Sequence, residues 1–316
     1  MLDILSKSLL ELPLYLTDAN KRIFGVYLIS AIALSLPVFI KVSNTKSLPA
    51  FFKFLFPKNI WLHDSAKQDY KLWVLNKVLK AFLFGPIVLT MVPIALGLSG
   101  FLETSFGNFE PYVLAHWQIV AIFTTALFLV DDFTRFLLHW ILHKVPFLWE
   151  FHKVHHSAKV LTPFTIYRSH PVESYFYACR MAIVQGIVVG VGYYLFGATL
   201  SMYDVLGANL FVFIFNFFGS NLRHSHVWLS WGDTLESVFI SPAQHQVHHS
   251  NNPIHFDRNL GSALAIWDRL FGTLIKASAA GKISIGVGKY DAGHDSIIAI
   301  YLKPFSKAFK SLKIKK

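Results

Sequence analysis

Five stretches of this chain contain no Asp, Glu, Lys or Arg: residues 23–40, 81–102, 111–130, 181–203 and 205–222. Each is close to the roughly 17–25 residues that a helix needs to cross a bilayer. Buried core helices explain one or two such runs in a soluble protein, but not five. Only 15% of the residues are charged, where a soluble domain carries about a quarter. The expected fold is therefore an all-α integral membrane protein. A first span near 23–40 precedes two transmembrane helical hairpins, 81–102 with 111–130 and 181–203 with 205–222.

The cations set the expected orientation. Of 29 Lys and Arg, eight lie in 41–80, six in 131–180 and twelve in 221–316. Short loops enriched in Lys and Arg stay in the cytoplasm, so the net charge of +11 reads as attraction to anionic headgroups, and nucleic acid is not an expected partner. Lys21 and Arg22 flank the first run on what would be the outer side, which leaves that helix's orientation open. The opening "MLDILSKSLLELPLYL" is broken by Asp3, Lys7 and Glu11 and does not read as a cleavable signal peptide. A single cysteine, Cys179, excludes an intrachain disulfide and any cysteine-based metal or redox pair. Three segments follow: 1–80, a membrane helix and a basic cytoplasmic stretch; 81–275, with the two apolar hairpins and most of the histidines; and 276–316, a basic tail.

Fifteen histidines punctuate this apolar sequence, eleven of them in four places. "HWILH" places His139 and His143 one turn apart on a helix that continues from the third apolar run. "HKVHH" holds His152, His155 and His156, and "HQVHH" repeats the spacing with His245, His248 and His249. His224 and His226 stand between the two runs, and His255 follows the second. Positions i, i+3 and i+4 share one helical face, so each short segment aims several imidazoles at one point. Neutral imidazole is the commonest protein metal ligand and suits Fe, Zn, Cu or Ni. Eight or nine such rings are too many for one ion, which takes four to six. Two metals sharing nitrogen ligands, with room for oxygen, is the natural arrangement. The absence of thiolate favours a redox-active dinuclear iron centre over structural zinc.

At these residues the chain resembles the fatty acid hydroxylase and sterol desaturase superfamily of membrane non-haem diiron enzymes. The family order is His-x(3,4)-His, His-x-x-His-His, a lone histidine and a second His-x-x-His-His. Here it reads "HWILH", "HKVHH", "RHSHVW" and "QHQVHH", with "YRSHPVE" and "DRNLGSALAIWDRLFGTL" in the same style. The likeness covers roughly residues 80–275. It implies as metal ligands His139, His143, His152, His155, His156, His224, His245, His248 and His249. His226 could replace His224, and His170 could be a tenth ligand or support one. It also implies two iron ions per chain, O2 as co-substrate and oxidation of an unactivated C–H bond in a membrane lipid such as a sterol or fatty acyl chain.

Metal-bound imidazoles are usually oriented by a further hydrogen bond. Asp132, two helical turns before His139, is the first candidate, with Glu150, Glu173, Asp233 and Asp268 behind it. No flavin, ferredoxin or cytochrome b5-like segment is recognisable, so electrons are expected from an external ferredoxin or cytochrome b5, docked on the Lys-rich surface. The expected location is a multi-pass position in a bacterial inner membrane or endoplasmic reticulum, with the metal site on the cytoplasmic face. The rival readings are a membrane metal transporter, whose site would lie near the midplane, and a zinc-dependent lipid hydrolase, which would need a carboxylate base and fewer histidines.

Overall fold

Capping residues, more than hydropathy, decide where the helices of this chain stop. A computed structural model describes residues 2–84, 89–108, 110, 112–197, 200–288 and 293–313, and it is mostly helical (67%). In chain order the helices are α1 (Leu2–Leu10), α2 (Gly25–Val42), α3 (Leu48–Leu55), α4 (Lys58–Trp61), α5 (Asp64–Phe84), α6 (Met91–Phe106) and α7 (His116–Lys144). Then come α8 (Pro146–His156), α9 (Pro171–Phe196), α10 (Leu210–Phe217), α11 (Pro242–His248), α12 (Ile266–Leu270) and α13 (Ile297–Lys313). Among the described residues, α2 and α9 are long and apolar enough to cross a membrane.

The expected hairpins are only partly realised. The run 205–222 is not a spanning helix. Asp204–Val205 and Ala208–Asn209 pair as a two-residue antiparallel ribbon, and Leu206 and Gly207 turn it with φ of 52° and 80°. Asn209 then caps α10 by accepting from the Phe211 amide (3.0 Å). Gly219, at φ 96°, ends that segment and leads into a 3-10 turn, Ser220–His224. Eight helical residues rise about 12 Å, against the ~30 Å of a hydrocarbon core. Hydropathy alone does not register these caps. The run 81–102 is likewise divided: its first residues close α5, its later ones form α6, and 85–88 lie outside the described residues.

Close helix packing builds the scaffold. A Cβ on Gly186 would sit 2.6 Å from Ile94, and one on Gly190 would sit 2.8 Å from the Ala95 carbonyl. The two glycines, four residues apart, therefore let α6 lie directly on α9, as small residues do between membrane helices. α7 is 29 residues long, about 43 Å. Its first half is apolar, and its second half carries Asp132, Phe136 and His139 on one buried side. Pro146 opens α8 immediately after the Val145 break, so the chain turns back and sets α8 beside the end of α7. The tail does not hang free. Ile300 of α13 packs with Leu72 and Val154, and Phe305 meets Phe151 at 5.2 Å between ring centroids.

Candidate metal centre

Four elements converge at the end of α7. Here α7 brings His139 and His143, α8 brings His152, His155 and His156, the 3-10 turn after Gly219 brings His224, and α11 with its C-cap brings His245, His248 and His249. All nine rings are buried or nearly so. They divide into two groups, within each of which one nitrogen per ring lies within 4.8 Å of the others: His139, His143, His152, His156 and His248; and His155, His224, His245 and His249.

The helical spacing explains the division. On α8 the i, i+4 pair His152 and His156 faces the five-histidine group, while His155 faces the other. On α11 the roles reverse: His245 and His249 join the four-histidine group, and His248 crosses to the five. Each His-x-x-His-His run thus contributes two rings to one group and one to the other. The groups adjoin, with the His156 and His249 rings stacked at 4.8 Å.

The ring nitrogens meet in a manner that neutral imidazoles alone do not satisfy. His152 Nε2 faces His139 Nε2 at 3.0 Å and His156 Nε2 at 3.2 Å. His224 Nε2 faces the Nε2 atoms of His245, His249 and His155 at 3.1, 3.2 and 3.3 Å. His143 Nε2 and His248 Nε2 are buried with no partner. One N–H serves one of these contacts at a time, and the remaining lone pairs oppose each other. Ligands around an ion at roughly 2.1 Å are spaced about 3.0–3.4 Å apart for octahedral to tetrahedral angles. The donor set fits a metal ion in each group.

The opposite edges of the rings fix the tautomer. Nδ1–H of His139 donates to the Leu260 carbonyl (2.7 Å), that of His155 to Arg168 (3.2 Å) and that of His248 to Arg258 (2.9 Å). His152 Nδ1 reaches Glu173 Oε1 (2.9 Å), and His143 Nδ1 reaches Asp257 Oδ1 (3.2 Å). Such bonds leave Nε2 free for a metal and orient the ring. His245 differs: its Nδ1 accepts from Arg223 Nη2 (3.0 Å), so the neutral ring carries its proton on Nε2, which a metal held there would displace.

The remaining sequence candidates lie elsewhere. His170 caps α9, its Nδ1 accepting from the Val172 amide (3.1 Å) and its Nε2–H donating to the Tyr301 carbonyl (3.0 Å). His226 donates to the Phe54 carbonyl (2.7 Å). Neither joins a group. Asp132 touches no histidine. It accepts from the Ala263 and Leu264 amides and from Trp267 Nε1, at 2.8, 3.0 and 2.9 Å, and so ties 263–267 to α7. Asp268 accepts from the Leu260 and Gly261 amides (2.8 and 2.7 Å), holding the very residue whose carbonyl orients His139. Glu150 pairs with Lys153 (2.5 Å), and Asp233 with Ser278 (2.7 Å). Asp257 and the carbonyls of Arg168 and Arg258 escaped sequence reasoning. Arg168 lies in "YRSHPVE", and Asp257 and Arg258 in "DRN" at 257–259, but neither stretch marks these groups as partners of a histidine.

A sequence profile of the fatty acid hydroxylase family matches residues 124–273, a segment that contains all nine histidines. The chain carries a fatty acid hydroxylase domain. The relatives that it is similar to include both lipid hydroxylases and sterol desaturases. An ornithine lipid hydroxylase of Rhizobium tropici is 30% identical over 179 residues, 56% of this chain and 49% of that one. An alkylglycerol monooxygenase of Caenorhabditis elegans is 30% identical over 149 residues, 45% and 25% of the two chains. A Delta(7)-sterol 5(6)-desaturase of Eremothecium gossypii is 27% identical over 230 residues, 70% and 56%. The chain thus spans between a quarter and just over half of these relatives' length. No solved structure gives a significant match.

Two expected outcomes follow from the fatty acid hydroxylase domain's inner polar bonds. Glu173→Ala removes the acceptor that orients His152 and should weaken metal binding about 10–100-fold, read by competition with a chelator; Glu173→Gln, which keeps an acceptor, should lose less. The second concerns pH. Burial pushes His152 down to about 3 and His155 to about 4, from an ordinary value near 6.5. Between those limits the unfolded chain binds protons that the folded chain does not, so stability rises with pH there. The metal-free protein should be fully stable above pH 6.5 and lose stability as pH falls towards 4, measured by thermal unfolding across that range.

Proposed function

We propose that this chain is a membrane-bound non-haem diiron oxidoreductase that hydroxylates or desaturates a lipid. The observation that carries the reading is the convergence of nine buried imidazoles into groups of five and four with their Nε2 atoms turned inward. In it, His139, His143, His152, His156 and His248 hold one iron, and His155, His224, His245 and His249 hold the other. Iron held there supplies the O2 activation that an unactivated C–H bond requires. The relatives named as lipid hydroxylase, alkylglycerol monooxygenase and sterol desaturase support oxidation of a lipid as the class of reaction.

Hydroxylation consumes one C–H bond, one O2, two electrons and two protons, and releases one C–OH and one water. Desaturation with the same reactants forms a C=C bond and two waters. The electrons come, on this reading, from an external ferredoxin or cytochrome b5 docked on the Lys-rich surface. The protein's own residues do the rest. Glu173, Asp257 and the carbonyls of Leu260, Arg168 and Arg258 hold the rings in one tautomer. A cavity of about 290 Å3 reaches His139, His152, His155, His224 and His245 from one side, and a second of about 330 Å3 reaches His143, His156 and His248 from the other. The first lets a substrate carbon approach both groups at once, and the placement of that carbon decides between hydroxylation and desaturation.

We place the site on the cytoplasmic face of a multi-pass protein, within the catalytic segment 81–275, on the distribution of Lys and Arg. The test compares membrane lipids from cells with and without the intact protein. A species heavier by one oxygen, or lighter by two hydrogens, is expected only with it. An unchanged lipid profile under full iron loading and electron supply would defeat the reading.

A further inference from the structure

The first of those cavities carries more positive charge than oxidising a hydrocarbon requires. Arg22, Lys80, Arg135 and Arg223 line it, against one carboxylate, Glu173, whose Oε1 is taken by His152. Arg22 meets only neutral groups, binding Asn216 Oδ1 and Ser220 Oγ through Nη1. Arg223 gives Nη1 to the Ser262 carbonyl (2.7 Å) and Nη2 to His245, and its Nε is buried without a partner. Arg135 pairs with Asp131 through Nη2 (2.9 Å), yet 37% of its side chain remains accessible. Burial, and then the charge of Arg135, hold the Arg22 guanidinium down at about 10. Withdrawing cations from water without a counter-charge is costly, and divalent ions on the histidines would add to the same field. The side chains that line this cavity therefore leave a net positive charge facing it.

The neighbouring space indicates what kind of anion suits that charge. Arg22, Arg135 and Ser262 also wall an adjoining cavity, together with Asp131 and Asp132. Asp131 is engaged by Arg135 and Arg180, and the oxygens of Asp132 accept from the Ala263 and Leu264 amides and Trp267. That cavity shares Phe128, Phe215 and Ala263 with an apolar groove of about 380 Å3 formed by residues of α7, α10 and 231–239. A polar, cationic chamber beside the histidines thus adjoins a phenylalanine-lined groove. Guanidinium forks match the oxygens of phosphate and carboxylate.

We propose that this chamber binds the oxyanion headgroup, phosphate or carboxylate, of the lipid substrate between Arg22, Arg135 and Arg223, with the chain lying in the apolar groove. The headgroup then sits beside His245, and the C–H bond oxidised lies within a few bonds of it. The position of oxidation rests on the oxygenase reading above; headgroup binding does not.

The test uses the full chain in a neutral maltoside detergent, loaded with zinc so that binding is read without turnover. Dodecyl phosphate, dodecanol and inorganic phosphate are titrated by calorimetry. Dodecyl phosphate should bind at least about tenfold more tightly than dodecanol, since a charge-assisted hydrogen bond accounts for that ratio. It should also bind at least about tenfold more tightly than inorganic phosphate. Arg22→Gln should bring the phosphate-over-alcohol ratio close to one, and Arg22→Lys should keep most of it. Metal content and melting temperature report whether these variants fold. Lys80→Met, on α5 and away from the Arg22 segment, should lower the ratio about threefold and carries the test if Arg22→Gln does not fold. Equal binding of dodecanol and dodecyl phosphate, or a ratio unmoved in the folded charge-removing variants, would overturn the proposal. Inorganic phosphate binding as tightly as dodecyl phosphate would overturn the headgroup assignment in favour of a small free anion. Because no oxidation is measured, any of these failures leaves the oxygenase reading intact, and an inactive enzyme that still prefers the phosphate would fail that reading alone.

Discussion

Replacing His224 with alanine should cut turnover by about a thousandfold or more, whereas replacing His226 should leave metal content unchanged. The magnitude follows from what is removed: groups that act as one catalytic unit lose most of their effect together when a single member goes. His224 Nε2 faces the Nε2 atoms of three other rings at 3.1–3.3 Å, so it is the hub of the four-histidine group. Three ligands would remain there, and the ion on that side should be lost or exchange freely. His226, two residues on, turns to the Phe54 carbonyl and packs edge-on against the Phe54 ring. His226→Ala should lower stability by only about 1 kcal/mol. Metal analysis and lipid turnover on the two variants separate neighbours that sequence spacing alone leaves equivalent. Equal loss in both would contradict this assignment.

Replacing Arg168 with methionine should produce the largest loss of stability. Its guanidinium is 1% exposed and lies 2.9 Å from Asp69, which is fully buried. It also donates to the Val154 carbonyl (3.0 Å) and to Ser157 Oγ (2.9 and 3.1 Å), fastening the end of α8 to α5. Thr165 Oγ1 completes the Asp69 carboxylate at 2.7 Å. Removing one partner of a buried pair strands the other charge, at a cost of about 3–5 kcal/mol, and roughly 10 °C in apparent melting temperature. The same residue's carbonyl accepts from His155, so the loss of order should reach the metal groups. Thermal unfolding in detergent, with metal content measured in parallel, checks both effects. A melting temperature within two or three degrees of the parent would show that the pair is dispensable.

The histidine-bearing segments were legible because their signal is local. Histidines at i, i+3 and i+4 share a helical face whatever surrounds them, and α8 and α11 form over those runs. Which ring joins which group was not legible, since it depends on how α8 and α11 face one another. The groups that orient the rings were harder still. Three of five are backbone carbonyls, which any residue supplies, and Asp257 meets His143 across 114 positions. Asp132 was singled out for its place on the α7 face, and that face is buried; the carboxylate serves 263–267 instead of a histidine. The failure at 205–222 has a different cause. An apolar run of that length satisfies hydropathy, but Asn209 and Gly219 confine the helix to eight residues.

The most direct measurement is the metal content of the purified, full chain after anaerobic loading with ferrous iron and removal of unbound metal. Two irons per chain are expected, one for each histidine group, falling to one in His224→Ala. One iron per chain in the unaltered protein, or two retained in His224→Ala, would contradict the dinuclear centre.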